Sequence, residues 1–209
     1  MIDVIVCDDH PVVRHGLAWI IQNNMNVSLR EAESGHVLID LVREKRADVV
    51  LLDVGLPGRG GLDVLRQIRQ EWPRLPVLML SVHPAEQYAL RALRAGASGY
   101  LTKDLAAQEL VTAVKTVAGG HRYLTAEVAE RLADDLGRDT DRDPHETLSD
   151  REYEVLSLLG AGRSVRQIAS ELCLSYNTIS TYRSRIFSKL GLKNDAQLVR
   201  YALQHGLSD

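Results

Sequence analysis

Cysteine is nearly absent from this chain: two occur in 209 residues, Cys7 and Cys173, one in each half. That excludes a disulfide framework or a thiolate metal centre, and both read as small buried hydrophobes in a reducing compartment. Long apolar runs are missing too. No stretch approaches the ~18 residues of a membrane span and no secretory pattern opens the chain, so the expected location is cytoplasmic, with no membrane partner. Nor is there an excess of positive charge. A net charge of −3 argues, as a whole-chain mean, against a nucleic-acid binder. No internal repeat or low-complexity tract occurs.

The mean conceals an asymmetry. Residues 1–147 carry 17 Lys/Arg and 22 Asp/Glu, whereas residues 148–209 carry 8 and 6, so a mildly basic piece follows an acidic one. Up to about Gly119 the sequence alternates short β-branched runs with stretches of helical period. Candidate strands are Ile2–Cys7, Val27–Glu31, Val49–Asp53, Val77–Ser81 and Gly99–Leu101. Candidate helices lie near Val12–Asn23, His36–Lys45, Gly61–Glu71, Ala85–Ala95 and Ala106–Ala118. This alternation predicts an α/β domain, a doubly wound parallel sheet with right-handed crossovers. VIVC and VVLLD are continuously apolar, as strands covered on both faces must be.

In such a sheet, ligands gather beyond the carboxyl ends of the strands. Asp8-Asp9 ends the first strand, Asp53 the third, Ser81 the fourth and Thr102-Lys103 the fifth. Adjacent carboxylates repel, and their desolvation is costly, so their convergence on one rim asks for a cation. Asp8, Asp9 and Asp53 form an oxygen donor set suited to Mg²⁺, with water completing the octahedron. An aspartate there can act as a nucleophile toward phosphorus, giving an acyl phosphate. Lys103 and Ser81 supply a charge and a donor for the phosphoryl oxygens, and Gly55 leaves its backbone carbonyl free to approach the metal. His10 and His83 share the rim and read as non-ligands.

After Thr125–Leu136, a short amphipathic stretch, GRDTDRDPHET (Gly137–Thr147) holds no apolar residue but Pro144 and reads as a solvated linker. The rest is helical in pattern. Ser149-Asp150-Arg151-Glu152 and Ser164-Val165-Arg166-Gln167 are capping boxes, and Ser175 can cap YNTISTYRSRIFSKL. The turn around Leu174-Ser175 gives a helix-turn-helix with Ser175–Leu190 as recognition helix. Domains are expected at 1–120 and 148–209, with 121–147 as a linker containing a short helix.

VIVCDDHPVVRHGL, VVLLDVGLPGRGGLDVL, LMLSVH and GASGYLTKD resemble the signature blocks of a response-regulator receiver domain, over essentially Met1–Gly120. The resemblance implies a flavodoxin-like (βα)5 fold with strand order 2-1-3-4-5. It makes Asp53 the phosphoacceptor, Asp9 a metal ligand, Asp8 its water-mediated helper, and Ser81 with Tyr100 a switch pair beside Lys103. Two departures are local: Val82 has a bulk that would narrow phosphodonor access, and Gly55 leaves open a position whose side chain often gates water. LSDREYEVL, IASELCLSYNTISTYRSRIFSKLGL and NDAQLVRYAL resemble the four-helix LuxR-type domain of NarL/FixJ regulators, over Leu148–Leu207. By that resemblance Thr178, Ser180, Thr181 and Ser184 belong to the DNA-binding face, and Arg183, Arg185 and Lys189 meet phosphates. The hydroxyls offer no bidentate base reading, so specificity is expected from paired half-sites and DNA shape. The whole implies a transcription regulator phosphorylated by a sensor histidine kinase, with double-stranded DNA as partner and a homodimer on activation. Two rivals use the same residues. An aspartyl-phosphate phosphohydrolase would need a substrate cap and a water-activating carboxylate, which the sequence lacks; a phosphorylation-independent regulator would leave the pocket intact but idle.

Overall fold

Continuously apolar strands cannot sit at a surface, and the first half of the chain buries them between two layers of helices. A computed structural model describes residues 1–82, 85–104, 107–137 and 143–207. The described chain divides into two units, Met1–Ala133 and Asp134–Asp209. The first unit contains β1 (Ile2–Cys7), α1 (Pro11–Asn24), β2 (Val27–Ala32), α2 (Gly35–Glu44) and β3 (Val49–Asp53). It continues with α3 (Gly61–Glu71), β4 (Val77–Ser81), α4 (Ala85–Arg94), β5 (Gly99–Thr102), α5 (Ala107–Ala118) and the start of α6 (Ala126–Gly137). The strands are all parallel, in the order β2-β1-β3-β4-β5.

Every residue of β3 and β4 is buried, as a central strand covered on both sides requires. Alternation sorts their side chains between two cores. Val4, Val6, Val49, Leu51, Leu78, Leu80 and Leu101 pack with Leu17 and Ile21 of α1 and with Leu110, Val114 and Val117 of α5. The opposite layer rests on close approach. A methyl group on Gly35 would overlap Val64 of α3, and one on Gly61 would overlap the carbonyl oxygen of Asp53. Gly61 therefore fixes how tightly α3 starts beneath the end of β3. Near the amino-terminal end of β1, Arg30 and Lys45 both reach the buried Asp3 carboxylate, at 2.6 Å each.

The second unit holds the end of α6, a 3₁₀ turn (Pro144–Thr147), α7 (Asp150–Gly160), α8 (Val165–Glu171), α9 (Tyr176–Leu190) and α10 (Asp195–Gln204). Both expected capping boxes form, at Ser149/Glu152 and Ser164/Gln167. Ser175 and Asn194 cap α9 and α10 through their side chains. Val155, Leu156, Ile168, Ile179, Ile186, Leu198 and Ala202 are buried and form the core.

Two sequence expectations change. Cys173 is exposed, because it occupies the left-handed position (φ 52°) that ends α8 and turns its side chain outward; only Cys7 is buried. Residues 144–147 are not free linker. Thr147 offers its carbonyl to Lys189, and His145 meets Tyr201, so polar residues with no apolar neighbours still find partners. No helix among the described residues is long and apolar enough to cross a membrane.

Candidate functional site

Register brings the rim together. Cys7 pairs with Leu52, Asp53 with Leu80 and Ser81 with Thr102, so the residues that leave β1, β3, β4 and β5 emerge at one level. Each is then aimed by a local bond. The Asp8 N–H donates to Ala32 and the Asp8 carbonyl accepts from Arg14, while Asp8 Oδ1 takes the His10 N–H at 2.8 Å. Asp53 Oδ1 accepts the Gly55 N–H at 3.1 Å. The Lys103 N–H donates to the Ser81 carbonyl at 2.7 Å, which carries the β4–β5 ladder one residue further and sends the lysine inward.

Lys103 Nζ bridges two carboxylates, 2.7 Å from Asp8 Oδ2 and 2.8 Å from Asp53 Oδ2, with only a tenth of its side chain exposed. Burial opposes its charge, yet Asp53 and Asp8 hold its pKa above the ordinary lysine value. Burial pushes the Asp53 carboxyl above the usual range; Lys103 counters this, and the Asp8 charge adds to it. The pocket thus contains more negative charge than one ammonium neutralises.

The donor set fits a hard divalent cation. Oxygens of Asp8, Asp9 and Asp53 lie within 4.8 Å of one another. Asp8 Oδ2 and Asp9 Oδ1 are shielded from solvent and face Lys103 Nζ at 2.7 Å and His10 Nδ1 at 3.0 Å. Oxygens left in that condition are cation ligands in waiting. His10 lies beside the cluster, its Nδ1 3.0 Å from Asp9 Oδ1. Mg²⁺ prefers oxygen, so His10 belongs beside the cation and not on it.

Ser81 and Tyr100 are both buried, at 1% exposure each. The pair expected to act as a switch thus lies inside the unit. Val82 is 73% exposed at the end of β4. A Cβ on Gly55 would stand 3.8 Å from Asp53 Oδ2 in ordinary contact, which places that position directly over the carboxylate. His83 lies outside the described residues.

In the second unit, two of the three cations expected to meet phosphates have carboxylate partners within the unit. Arg183 makes a bidentate pair with Asp195, both bonds 2.8 Å, and stacks 4.5 Å from the Phe187 ring, tying α9 to the start of α10. Lys189 Nζ sits 2.6 Å from Glu152 Oε2 and binds α9 to α7. Arg185 is exposed, with no partner among the described residues. The hydroxyls are partly engaged: Thr178 meets the capping Ser175, Thr181 donates to the Asn177 carbonyl and Ser184 to the Ser180 carbonyl. The exposed face of α9 runs through Asn177, Thr181, Ser184, Arg185 and Ser188, at helical spacing, while Ser180 is half-buried. Asn177 was missed from the sequence. Counting back from the buried Ile179 and Ile186 would have found it, and its amide is able to read adenine bidentately.

A parallel sheet with an acid–lysine rim, followed by a capped helix-turn-helix, defines a receiver joined to a DNA-binding domain. The chain matches the response regulator receiver domain over residues 4–115 and the luxR family of bacterial regulatory proteins over residues 146–202. It belongs to the LuxR-type response regulators, the NarL/FixJ family, and is a response regulator transcription factor. It is 35% identical to response regulator UvrY of Escherichia coli over 99% of this chain and 96% of that one. It is 36% identical to response regulator GacA of Pseudomonas aeruginosa over 100% and 99%. Among solved structures it resembles RcsB of Salmonella enterica serovar Typhimurium, bound to promoter rprA in the presence of the phosphomimetic BeF₃⁻. That likeness has a TM-score of 0.64 and 27% identity, over 96% of this chain and 98% of that one.

Proposed function

We propose that Asp53 accepts a phosphoryl group from a sensor kinase's phosphohistidine, and that the adduct shifts the protein to a DNA-binding dimer. The carrying observation is the bridge of Lys103 between Asp8 and Asp53, with the solvent-shielded Asp9 Oδ1 in the same cluster of carboxylates. An Asp53 carboxylate oxygen attacks phosphorus, the phosphorus–nitrogen bond of the donor breaks, and an acyl phosphate forms on Asp53. Asp8, Asp9, Asp53 and the Gly55 carbonyl would hold Mg²⁺, which when bound neutralises charge on the transferring group. Lys103 then pairs with the phosphoryl oxygens, and Ser81 donates to them. Because Ser81 and Tyr100 already lie inside, the adduct selects a packing of β4 and β5 and their helices instead of creating one. The protein assists this transfer and its reversal without turning over an external substrate.

In the dimer, two α9 helices enter successive major-groove segments about one helical turn apart. Arg185, exposed on α9, meets phosphate. Thr178, Ser180, Thr181 and Ser184 belong to the same face, with Asn177 added. Arg183 and Lys189 reach DNA only by sharing or leaving their carboxylate partners. Native mass spectrometry with a small-molecule phosphodonor and Mg²⁺ tests the reading. One phosphoryl group is expected on the wild type, none on Asp53→Asn, and dimer rising with the adduct. Full promoter control by Asp53→Ala would instead establish a regulator that does not use its pocket.

A further inference from the structure

Outside the acidic pocket, the second unit gathers three ligand-bearing side chains at the junction of its entering segment and its last helix. Asp143 lies just before the 3₁₀ turn, His145 within it and His205 at the end of α10. One ligand atom from each lies within 4.8 Å of the others, and His205 Nδ1 is 3.6 Å from Asp143 Oδ1. In a tetrahedral site with bonds of about 2.0–2.1 Å, ligand atoms sit roughly 3.3 Å apart, so a small contraction suffices. The imidazoles meet edge to face, 5.2 Å between centroids.

A second observation points the same way. His145 Nδ1 lies 3.1 Å from the Tyr201 hydroxyl. Metal-bound histidines characteristically engage their second nitrogen with an oxygen partner, which fixes the tautomer and turns the other nitrogen toward the ion. Tyr201 itself is held by stacking on His205, 4.3 Å between ring centroids. Both rings are thus oriented by one residue that is not a ligand. All of these side chains are partly exposed, so an ion has access from solvent.

We propose that Asp143, His145 and His205 form a binding site for a borderline divalent transition metal such as Zn²⁺, with Tyr201 as a positioning residue. Two imidazole nitrogens and one carboxylate oxygen are the donors such ions take, with water in the remaining position. The ion staples the segment that enters the DNA-binding unit to the end of α10. This makes the order of that segment depend on metal, independently of Asp53.

The test uses the full chain, with Mg²⁺ in large excess so that the acidic pocket holds the cation it prefers. Zn²⁺ binding is followed by calorimetry, and Co²⁺ serves as the visible-spectrum probe. One equivalent is expected to bind wild type and Asp9→Asn alike. His145→Gln and His205→Gln are expected to lose at least about 100-fold in affinity while keeping the far-ultraviolet circular dichroism of the folded chain, and Tyr201→Phe about ten-fold with the Co²⁺ bands retained. The proposal is overturned if wild type binds no ion under these conditions. It is equally overturned if the glutamine variants bind like wild type, or if Asp9→Asn alone abolishes binding.

Discussion

Each half of the molecule buries a carboxylate against a lysine, Asp53 with Lys103 in the sheet unit and Glu152 with Lys189 in the helical one. The two acids shift in opposite directions. For Asp53, burial outweighs the help of Lys103, and the neighbouring Asp8 charge adds to it, so its pKa rises. Glu152 is also penalised by burial, but Lys189 and the capping bonds of Ser149 outweigh that penalty and its pKa falls. The same ion pair is therefore a frustrated centre in one place and a fastener in the other. What separates them is the company: surplus carboxylates in the first, helix-terminal N–H donors in the second.

Removing each lysine sharpens the contrast most. Lys103→Ala leaves Asp8 and Asp53 buried without a counter-charge and is expected to cost about 3–5 kcal/mol in unfolding free energy unless Mg²⁺ is added. It should also uncouple dimer formation from the phosphoryl adduct, which size-exclusion chromatography after phosphodonor treatment would read. Lys189→Ala, by contrast, removes a partner that is 40% exposed and screened by solvent, so its cost should be about 1 kcal/mol or less. Equal costs would dissolve the distinction.

The isosteric changes come next. In Mg²⁺-free buffer at neutral pH, Asp53→Asn is expected to raise unfolding free energy by about 1–2 kcal/mol, because it relieves crowding at a functional site. Glu152→Gln is expected to lower it by about 1 kcal/mol, since the amide keeps the cap but loses the charge. Acid separates them again. Glu152, with its lowered pKa, contributes stability that is present above the ordinary carboxylate range and fades as pH falls through its folded value. Asp53, with its raised pKa, carries a penalty at neutral pH that protonation relieves on acidification. Both differences should shrink in acid, from opposite signs: that at Asp53 as pH falls from neutral toward the usual carboxylate range, that at Glu152 only below that range, in urea melts carried from pH 7 to below pH 4.

The smallest effect concerns Gly55. A side chain there would stand over Asp53 and alter the approach of water. Gly55→Asn is expected to change the half-life of the phosphoryl adduct about five-fold, which corresponds to roughly 1 kcal/mol in the barrier. An unchanged decay rate would remove Gly55 from the account.

How much of this was legible depends on the range of each interaction. Strand and helix positions follow from periodicity, which is local, and the rim follows from where apolar runs end: Asp8, Asp9, Asp53, Ser81 and Lys103 are all strand-terminal. The caps at Ser149, Ser164 and Ser175 are legible for the same reason. What the sequence concealed are pairings across long separations. Lys189 meets Glu152 37 positions away and His145 meets Tyr201 56 away. Nothing in either local pattern announces them. Nor does composition disclose that Gly61 is needed because a carbonyl passes where its side chain would be.

The turn between α8 and α9 has one more consequence, for anyone wishing to watch this protein at work. Its left-handed residue is Cys173, exposed at the entrance to the recognition helix. The other thiol, Cys7, is sealed at the end of β1, and its pKa is pushed up by burial and by the nearby Asp53 and Asp8 charges. A maleimide dye added to the unaltered chain should therefore attach at one place only. The natural sequence thus comes with its own addressable fluorescence handle, placed a few residues from the helix that meets DNA and far along the chain from the carboxylate that takes the signal.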